Sequence, residues 1–187
     1  LLKAGADANA ALWTGETPLM NCARRGVDKA VIGLLNNGAE INTQESRNGQ
    51  NALMWAAAEG HSSIVNILVS HGADINMKTK NGFTSLMFAA RSGDLETASN
   101  LLSAGADPNE GTRKHGNSLV VASAGGHEDL SLYLLEQGAN YNSTDEYGIT
   151  PLHYSIRRGM SVLNGIRYDF AYRVRPENMY KLTKTLL

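Results

Sequence analysis

The side chains in this sequence most able to do chemistry are five histidines and a single cysteine. A metal site or a nucleophilic centre needs such residues in a recognisable pattern, for example two His four residues apart on a helix, or a Cys with an orienting His. The histidines are instead scattered, at His61, His71, His115, His127 and His153. The sequence therefore predicts structural roles for them, with no metal, no cofactor and no catalytic residue.

The acidic residues and the glycines also show no catalytic arrangement. Glu40, Asp74 and Asp107 recur at a fixed interval, which favours turn stabilisation over general acid–base chemistry. The glycines have neither G-x-G-x-x-G nor phosphate-loop spacing. We therefore predict that the chain is not an enzyme.

Composition excludes two further classes of protein. The chain has 187 residues, a formal charge of −1 and 19% charged residues, so it is not a globally basic nucleic-acid binder. It contains no apolar run of about 18 residues, so we expect no membrane-spanning helix.

A repeat organises the sequence. One glycine series recurs every 33 or 34 residues, at Gly5, Gly38, Gly72, Gly105 and Gly138. A second series with the same spacing comprises Gly26, Gly60, Gly93, Gly126 and Gly159. Each interval reads as a short helix, a Gly turn, a second helix, a Gly stop and an extended exit. Such a unit is too thin to bury its own apolar faces, so we expect neighbouring units to stack.

The start of each repeat carries a recurring signature. It reads TPLM at 17–20, NALM at 51–54, TSLM at 84–87 and TPLH at 150–153. A period near 33 with this signature resembles the ankyrin repeat over nearly the whole chain. The resemblance implies an all-α ankyrin-repeat solenoid, in which each helix–turn–helix is followed by a β-hairpin-like loop.

We predict a single ankyrin-repeat domain over residues 1–187. It begins with a partial repeat, 1–11, and ends with an altered repeat, 145–187, that carries an insertion at about 160–178. The full repeats between them are 12–44, 45–78, 79–111 and 112–144. Because neither end resembles a finished cap, we expect a monomeric fragment of a longer chain.

Cys22 occupies the position that Ala56, Ala89 and Ala122 hold in other repeats. We therefore expect a small buried packing residue and not a reactive thiol.

The ankyrin resemblance implies that a protein partner is held by the hairpin tips and by the concave face of the first helices. At the helix ends, the matching residues are Arg24, Arg25, Glu59, Arg91, Arg157 and Arg158. At the hairpin tips, they are Trp13, Glu16, Arg47, Gln50, Lys80, Phe83, Arg113, Lys114, Tyr147 and Ile149.

The helix-end set contains five Arg and one Glu, which favours an acidic protein partner. An alternative is that these Arg side chains only keep an exposed groove hydrated and bind no partner. Exposed Trp13, Phe83 and Tyr147 would strengthen the case for binding, because aromatic residues and Arg are enriched at interface hot spots. At another position of the first helix, Trp55, Phe88 and Tyr154 are expected to be packing residues.

The insertion in the last repeat is rich in Tyr and Arg. Its candidate contacts are Arg167, Tyr168, Tyr172 and Arg173. The segment either folds back over the solenoid or acts as a recognition loop. Contact with single-stranded nucleic acid is an alternative for it, which the net charge of −1 disfavours.

The function that we predict is a non-catalytic protein–protein interaction scaffold. An alternative is the targeting or regulatory arm of a larger enzyme or effector. The closing part of the chain is also similar to that of bacterial, often exported, ankyrin-repeat proteins. The compartment stays open between an exported or periplasmic bacterial setting and the cytoplasm.

Overall fold

A computed structural model describes residues 4–156 and 179–187, with side chains for 4–156 and 181–187. Backbone contacts divide the chain into two compact units, Leu1–Asp107 (unit 1) and Pro108–Leu187 (unit 2). The predicted insertion at about 160–178 lies outside the described residues.

Unit 1 contains three successive helix pairs. The first helices of the pairs are α1 (Pro18–Arg24), α3 (Ala52–Ala58) and α5 (Ser85–Ser92). The second helices are α2 (Asp28–Leu35), α4 (Ser62–Ser70) and α6 (Leu95–Ser103). First helices pack on first helices, and second helices pack on second helices, so the three pairs form a stack.

Short polar side chains begin the first helices of unit 1. The Oγ1 atom of Thr17 accepts a hydrogen bond from the backbone N–H of Met20 at 3.3 Å, and Pro18 follows at the first helical position. The equivalent residue Asn51 accepts from the N–H of Met54 at 2.9 Å. Asn at this position therefore caps the helix as Thr does, because both present one oxygen to an otherwise unpaired N–H.

The core of unit 1 lies between the stacked helices. A Leu-Met pair from each first helix is almost completely buried, and Ile64, Leu68 and Leu101 fill the second-helix layer. The pairs are Leu19-Met20, Leu53-Met54 and Leu86-Met87. Fully buried Ala56 and Ala89 let neighbouring first helices approach closely.

The turn inside the first helix pair requires glycine. Gly26 has a φ of +72°, and a Cβ atom there would lie 2.8 Å from Cε1 of His61 in the next repeat. The same ring places Nε2 3.1 Å from the backbone oxygen of Arg24. His61 thus fastens the second repeat to the turn of the first, which is the structural role expected for it.

Asparagine side chains tie the extended loop exits of unit 1 together. Asn9 Oδ1 accepts from the N–H of Glu40 at 2.7 Å, and Asn9 Nδ2 donates to the carbonyl of Gly38 at 2.9 Å. One repeat later, Asn42 Oδ1 accepts from the N–H of Asp74 at 2.9 Å. Each such Asn holds the loop that follows the next helix pair.

Unit 2 begins with a short antiparallel hairpin. Strand β1 (Gly111–Thr112) pairs with β2 (Gly116–Asn117), with Gly111 opposite Asn117. A Cβ atom at Gly111 would lie 2.4 Å from the carbonyl oxygen of Gly116, so the close approach of the strands requires glycine there. Within the described residues, this is the one hairpin with paired strands; the other loops are turns.

The helices of unit 2 are α7 (Ser118–Gly125), α8 (Glu128–Glu136), α9 (151–156) and α10 (Met179–Leu186). Helix α7 packs on β2 and α8, and α8 packs on α10. Asn109, which precedes β1, binds the loop after α8 in the same way as Asn9 binds the loop after α2. Its side chain bonds the carbonyl of Gly138 and the N–H of Asn140.

Glu128, at the start of α8, is buried by α10. Only 3% of the residue is exposed, and its Oε1 atom accepts the backbone N–H of Leu182 at 2.8 Å. Burial raises the pKa of the Glu128 carboxyl group, against the backbone N–H groups of Leu182 and Lys181, which lower it. Leu182 is itself fully buried, so an apolar side chain as well as these hydrogen bonds holds α10.

The described residues confirm the predicted all-α class of helix–turn–helix repeats. No described helix combines the length and the apolar character that a membrane span requires. The division into repeats at 12–44, 45–78, 79–111 and 112–144, and the single domain over 1–187, stay predictions.

Candidate functional site

Two candidate residues of unit 1 meet across neighbouring first helices. The guanidinium carbon of Arg24, at the end of α1, lies 4.5 Å from the ring centroid of Trp55 on α3. Arg24 Nε is 3.7 Å from Glu59 Oε1, and both side chains are about half exposed. Trp55 is half-buried, with its Nε1 atom buried and without a hydrogen-bond partner among the described residues.

A second cluster lies one repeat further along and joins a hairpin tip to a helix. The guanidinium carbon of Arg91 lies 4.9 Å from the ring centroid of Phe88 and 5.8 Å from that of Phe83. The two Phe rings meet edge to face, with centroids 5.3 Å apart. Phe83 comes from the tip, whereas Phe88 and Arg91 belong to α5.

The two clusters use equivalent residues in different ways, because Arg24 stacks on a ring of the next first helix, whereas Arg91 stacks on a ring of its own helix. Trp55 and Phe88 occupy the same position of the repeat, as do Arg24 and Arg91. In both clusters an exposed guanidinium group lies against a ring of α3 or α5, helices that pack on each other. We call these four residues the Arg–aromatic strip.

The first hairpin tip of unit 1 presents a large apolar surface. Trp13 is 96% exposed, and its neighbour Leu12 is also exposed. The tip is nevertheless well defined, because the N–H of Leu12 donates to Glu16 O and that of Gly15 donates to Leu12 O. Ser46 of the next tip donates to the carbonyl of Thr14 from both its backbone N–H and its hydroxyl group.

The second tip of unit 1 is organised by a buried carboxylate. Glu45 is 4% exposed and accepts the backbone N–H groups of Arg47, Asn48 and Gln50 at 2.6, 2.8 and 3.0 Å. Burial raises the pKa of Glu45, but these three N–H groups and the charge of Lys80 outweigh it, so the pKa is lowered. Glu45 therefore stabilises the turn that presents Arg47.

Lys80 of the third tip makes hydrogen bonds to the second tip. Its N–H donates to Asn48 O at 2.9 Å, and its Nζ donates to the carbonyl of Ser46. Arg47 is exposed, Gln50 and Glu16 are half-buried, and Arg25 is exposed at the end of α1. The structure does not join these last four side chains into either Arg–aromatic cluster.

The candidate residues of unit 2 form a separate group. Tyr147 is 79% exposed, Arg113 and Lys114 are exposed, and Ile149 is half-buried. Arg113 and Lys114 lie on the β1–β2 hairpin, whereas the tip that carries Tyr147 and Ile149 is held by Asp145, which accepts the N–H groups of both residues.

Asp145 also accepts the hydroxyl of Tyr154 at 2.7 Å. Burial raises the pKa of Asp145, but the hydrogen bonds from Tyr154, Ile149 and Tyr147, with the charge of His115, lower it overall. Tyr154 is half-buried and braces this tip, so its role is structural.

Six candidate residues lie outside the described part of the chain. These are Arg157, Arg158, Arg167, Tyr168, Tyr172 and Arg173.

Cys22 is less buried than predicted. It is half-buried, whereas Ala56, Ala89 and Ala122 at the equivalent position are fully buried. Cys22 lies on α1, which packs on one first helix, α3, among the described helices, whereas Ala56 on α3 has first helices on both sides. Burial nevertheless raises the pKa of the Cys22 thiol, against the opposing charge of Arg25, which favours the unreactive thiol form.

The rings of His61, His71 and His153 have backbone or hydroxyl partners. His153 Nδ1 lies 2.8 Å from Thr150 Oγ1, within its own helix start, and His71 Nδ1 lies 2.8 Å from Ile67 O. The described residues contain no group of three or more His, Cys, Asp or Glu able to hold a metal ion.

Sequence reasoning missed two features of this surface. Trp55 was expected to be a partly buried packing residue and is half-buried, but its support of Arg24 was not predicted. Its place one repeat before Phe88, with an Arg at the end of the preceding helix, was the available signal. Phe88 is buried, as predicted. The exposure of Leu12 could not be predicted from the sequence, because a single apolar residue in a turn can be either buried or exposed.

A family model of ankyrin repeats in three copies matches residues 1–79, 19–112 and 86–168. These matches together cover most of the chain. The chain belongs to the ankyrin repeat family. The predicted all-α ankyrin-repeat solenoid is thereby confirmed.

Similarity to individual ankyrin proteins covers about two repeats. The chain is 41% identical over 66 residues to ankyrin repeat and SAM domain-containing protein 6 of Rattus norvegicus, covering 35% of this chain and 8% of that protein. It is 36% identical over 78 residues to ankyrin repeat and KH domain-containing protein mask-1 of Caenorhabditis elegans, covering 42% and 3%. The match to neurogenic locus notch homolog protein 1 of Homo sapiens is 36% over 72 residues, covering 38% and 3%.

The matched segments span less than a tenth of each of these relatives. All three relatives are animal proteins, so the expected similarity to bacterial ankyrin proteins is not borne out. Ankyrin repeats are general protein–protein interaction modules and are typically non-catalytic. Membership of the family therefore implies a protein partner for this chain.

Proposed function

We propose that this chain is a non-catalytic protein-interaction module that holds a protein partner on unit 1, at the ends of the first helices and at the hairpin tips. The observation that carries the proposal is the Arg–aromatic strip. Arg24 on Trp55, and Arg91 on Phe88 and Phe83, combine the residue types that dominate interface hot spots.

Charge on this surface favours an acidic partner. The candidate residues of unit 1 include five cations, Arg24, Arg25, Arg47, Lys80 and Arg91, and two acids, Glu16 and Glu59. Glu45 does not offset the cations at the surface, because its carboxylate is buried and binds three backbone N–H groups. A locally positive surface accelerates association with an acidic protein and disfavours basic ones.

Trp13 supplies the apolar part of the interaction. A Trp that is 96% exposed on a braced turn can bury a large area against a partner with little loss of conformational freedom. We therefore expect the partner to cover the first tip together with the Arg–aromatic strip.

Site-specific photocrosslinking tests this proposal. A photoreactive amino acid is placed at Glu59, beside the strip, and in a matched variant at Glu96, which is exposed on second helix α6. Protein adducts from a cell extract are identified by mass spectrometry. We expect adducts from position 59 that disappear in the Trp13→Ala background, and few from position 96.

Equal adduct yields from both positions would contradict the assigned face. Circular dichroism of each variant before crosslinking shows whether the helices are retained.

A further inference from the structure

We infer that Glu59 is an internal competitor for Arg24, and that a carboxylate side chain of the partner replaces Glu59 when the partner binds (ion-pair exchange). This inference rests on the proposed function and specifies the chemistry and the regulation of one position in it. Three features of the site lead to it: an arginine that is held by a ring without hydrogen bonds, a loosely paired glutamate beside it, and the unfavourable place of that glutamate in its helix.

Contact with Trp55 holds the Arg24 side chain without using its hydrogen-bond donors. The guanidinium carbon lies 4.5 Å from the ring centroid, and the side chain of Arg24 donates no hydrogen bond within the described part of the chain. A guanidinium group carries five N–H donors in one plane, so Arg24 retains donors for a carboxylate. Because the ring already restricts the side chain, a carboxylate orders it at a smaller entropic cost.

Glu59 pairs only loosely with Arg24. Its Oε1 atom lies 3.7 Å from Arg24 Nε, which is within the range of an ion pair but too long for a hydrogen bond, and both side chains are about half exposed. The Glu59 side chain has no other partner among the described residues. An exposed ion pair of this kind contributes little to stability, so a carboxylate that accepts two guanidinium N–H groups can displace Glu59.

The position of Glu59 in α3 does not favour an acidic residue. Glu59 is the C-cap residue of α3, where the negative end of the helix dipole disfavours a carboxylate. The equivalent residues of the other described repeats are Arg25, Ser92 and Gly125, none of which is acidic. Residues that break a local rule without a compensating gain in stability are expected at functional sites.

A carboxylate with a single negative charge is the ligand that matches this site. Replacement of Glu59 by an Asp or Glu of the partner leaves the charge around Arg24 unchanged. A phosphorylated side chain carries about −1.5 to −2 at pH 7, which is more than one guanidinium group neutralises. Glu59 thus lowers the affinity of Arg24 for anions in general, and an Asp or Glu held in place by the rest of the interface overcomes this competition.

Nuclear magnetic resonance of the 15N-labelled chain tests the exchange, because it detects weak binding at a single site. The indole N–H signal of Trp55 is assigned with a Trp13→Phe variant, since the chain has two tryptophans. The probes are capped seven-residue peptides whose central residue, between two leucines, is Glu, Gln or phosphoserine. We expect the Glu peptide to shift the Trp55 signal saturably, with at least about fivefold higher affinity than the other two peptides.

Charge variants separate ion-pair exchange from general electrostatics. Glu59→Gln should strengthen binding of the Glu peptide about two- to fivefold, and Arg24→Gln should weaken it to the level of the Gln peptide. Adding Glu59→Gln to Arg24→Gln should restore no binding, because the competitor acts through Arg24. Glu96→Gln, an equal charge change at an exposed site of α6, is the matched control and should leave the affinity within about 1.5-fold. The spectrum of each variant shows whether the fold is retained.

No strengthening by Glu59→Gln, or equal strengthening by Glu96→Gln, would overturn the inference. So would a phosphoserine peptide that binds as tightly as the Glu peptide, because the site would then have no preference for a carboxylate. If crosslinks from position 59 form as proposed but the titration gives one of these results, the proposed function stands and ion-pair exchange fails. If those crosslinks are absent, the proposed function fails, and the inference that rests on it fails as well.

Discussion

Among the described residues, each unit buries one glutamate, and the pKa values of the two carboxyl groups shift in opposite directions. Glu45 of unit 1 has a lowered pKa, whereas Glu128 of unit 2 has a raised one. Burial is the largest cause at both sites and raises the pKa of each. The difference comes from the groups around them, since Glu45 accepts three backbone N–H groups and is near Lys80, whereas Glu128 accepts two and is near Asp129.

Glu45 occupies a position that has the same role in other repeats, whereas the burial of Glu128 is particular to unit 2. Glu45 organises a hairpin tip, and Thr79 and Asp145 accept backbone N–H groups at the equivalent point of other tips. Position 128 is normally nearer the surface, since its counterparts Asp28 and Ser62 are half-buried and Leu95 is exposed. Glu128 is buried because α10 lies on it, so its burial is a property of unit 2 alone.

The largest expected effects come from leucines in the second-helix layer of each unit. Leu68→Ala and Leu182→Ala should each lower the free energy of unfolding by about 2–5 kcal/mol. Leu68→Ala should be the more damaging, because α4 has α2 and α6 on either side and the site cannot collapse, whereas α10 lies near the end of the chain and packs on α8.

Urea unfolding and hydrogen exchange measure the two leucine variants. Leu182→Ala should accelerate exchange mainly in α10 and α8. Equal acceleration throughout unit 1 would contradict the separation of the two units.

Next in size is Glu45→Gln, which should lower the free energy of unfolding by about 1–3 kcal/mol at neutral pH. The amide has one oxygen for three backbone N–H donors and brings two donors of its own. Because the pKa of Glu45 is lowered in the folded state, its contribution is present above the ordinary Glu pKa of about 4.3 and is lost as pH falls through the folded pKa.

The difference between wild type and Glu45→Gln in urea should therefore shrink on acidification. Glu40→Gln, at an exposed site, is the control and should change little. A constant difference down to pH 3 would show that the carboxylate charge is unimportant at this tip.

Glu128→Gln should change the free energy of unfolding less than Glu45→Gln does. Its effect should also depend on pH in the opposite direction. Gln keeps an oxygen for the N–H of Leu182 and removes the buried charge, so the free energy of unfolding at pH 7 should change by less than about 1 kcal/mol. Because the pKa of Glu128 is raised in the folded state, its contribution is full below about pH 4.3 and is lost as pH rises through the folded pKa.

Glu128→Gln should accordingly gain stability relative to wild type between pH 4 and pH 7 in thermal unfolding. A loss of several kcal/mol at pH 7 would instead mean that the charged carboxylate is what holds α10.

The repeat architecture could be predicted because its determinants are local in sequence. Caps such as Thr17, the turn glycine Gly26 and the apolar spacing of Ile64 and Leu68 each specify their own turn or helix face. Repetition at a fixed period then specifies stacking without knowledge of any long-range contact.

The surface was less predictable because its contacts join different repeats. Stacking of Arg24 on Trp55 depends on how far one helix end reaches across the next, which spacing alone does not give. Burial of Glu128 depends on α10, about fifty residues later in the chain. Residues with partners in their own turn were thus predicted better than residues with partners in another element.

The smallest expected effect concerns the difference between Cys22 and its alanine counterparts. Cys22→Ala should change the free energy of unfolding by less than about 1 kcal/mol, because alanine is the residue of this position in other repeats. Wild-type Cys22 should react with a soluble disulfide reagent more slowly than a small free thiol does, by roughly tenfold, because the thiol is half-buried and its pKa is raised. Reaction at the rate of a free thiol would show that the end of α1 opens readily.

The asparagine ties have a consequence for how such a chain changes length. Asn9 and Asn109 bind the same two backbone groups of the loop after the next helix pair, although they lie in different units. The contact uses main-chain atoms of the neighbour, so it does not depend on which repeat that neighbour is. An in-frame duplication or deletion of one 33-residue segment would present the same donor and acceptor to the preceding asparagine. The joint between repeats is therefore interchangeable, and repeat number can drift in evolution without a matching change at every junction.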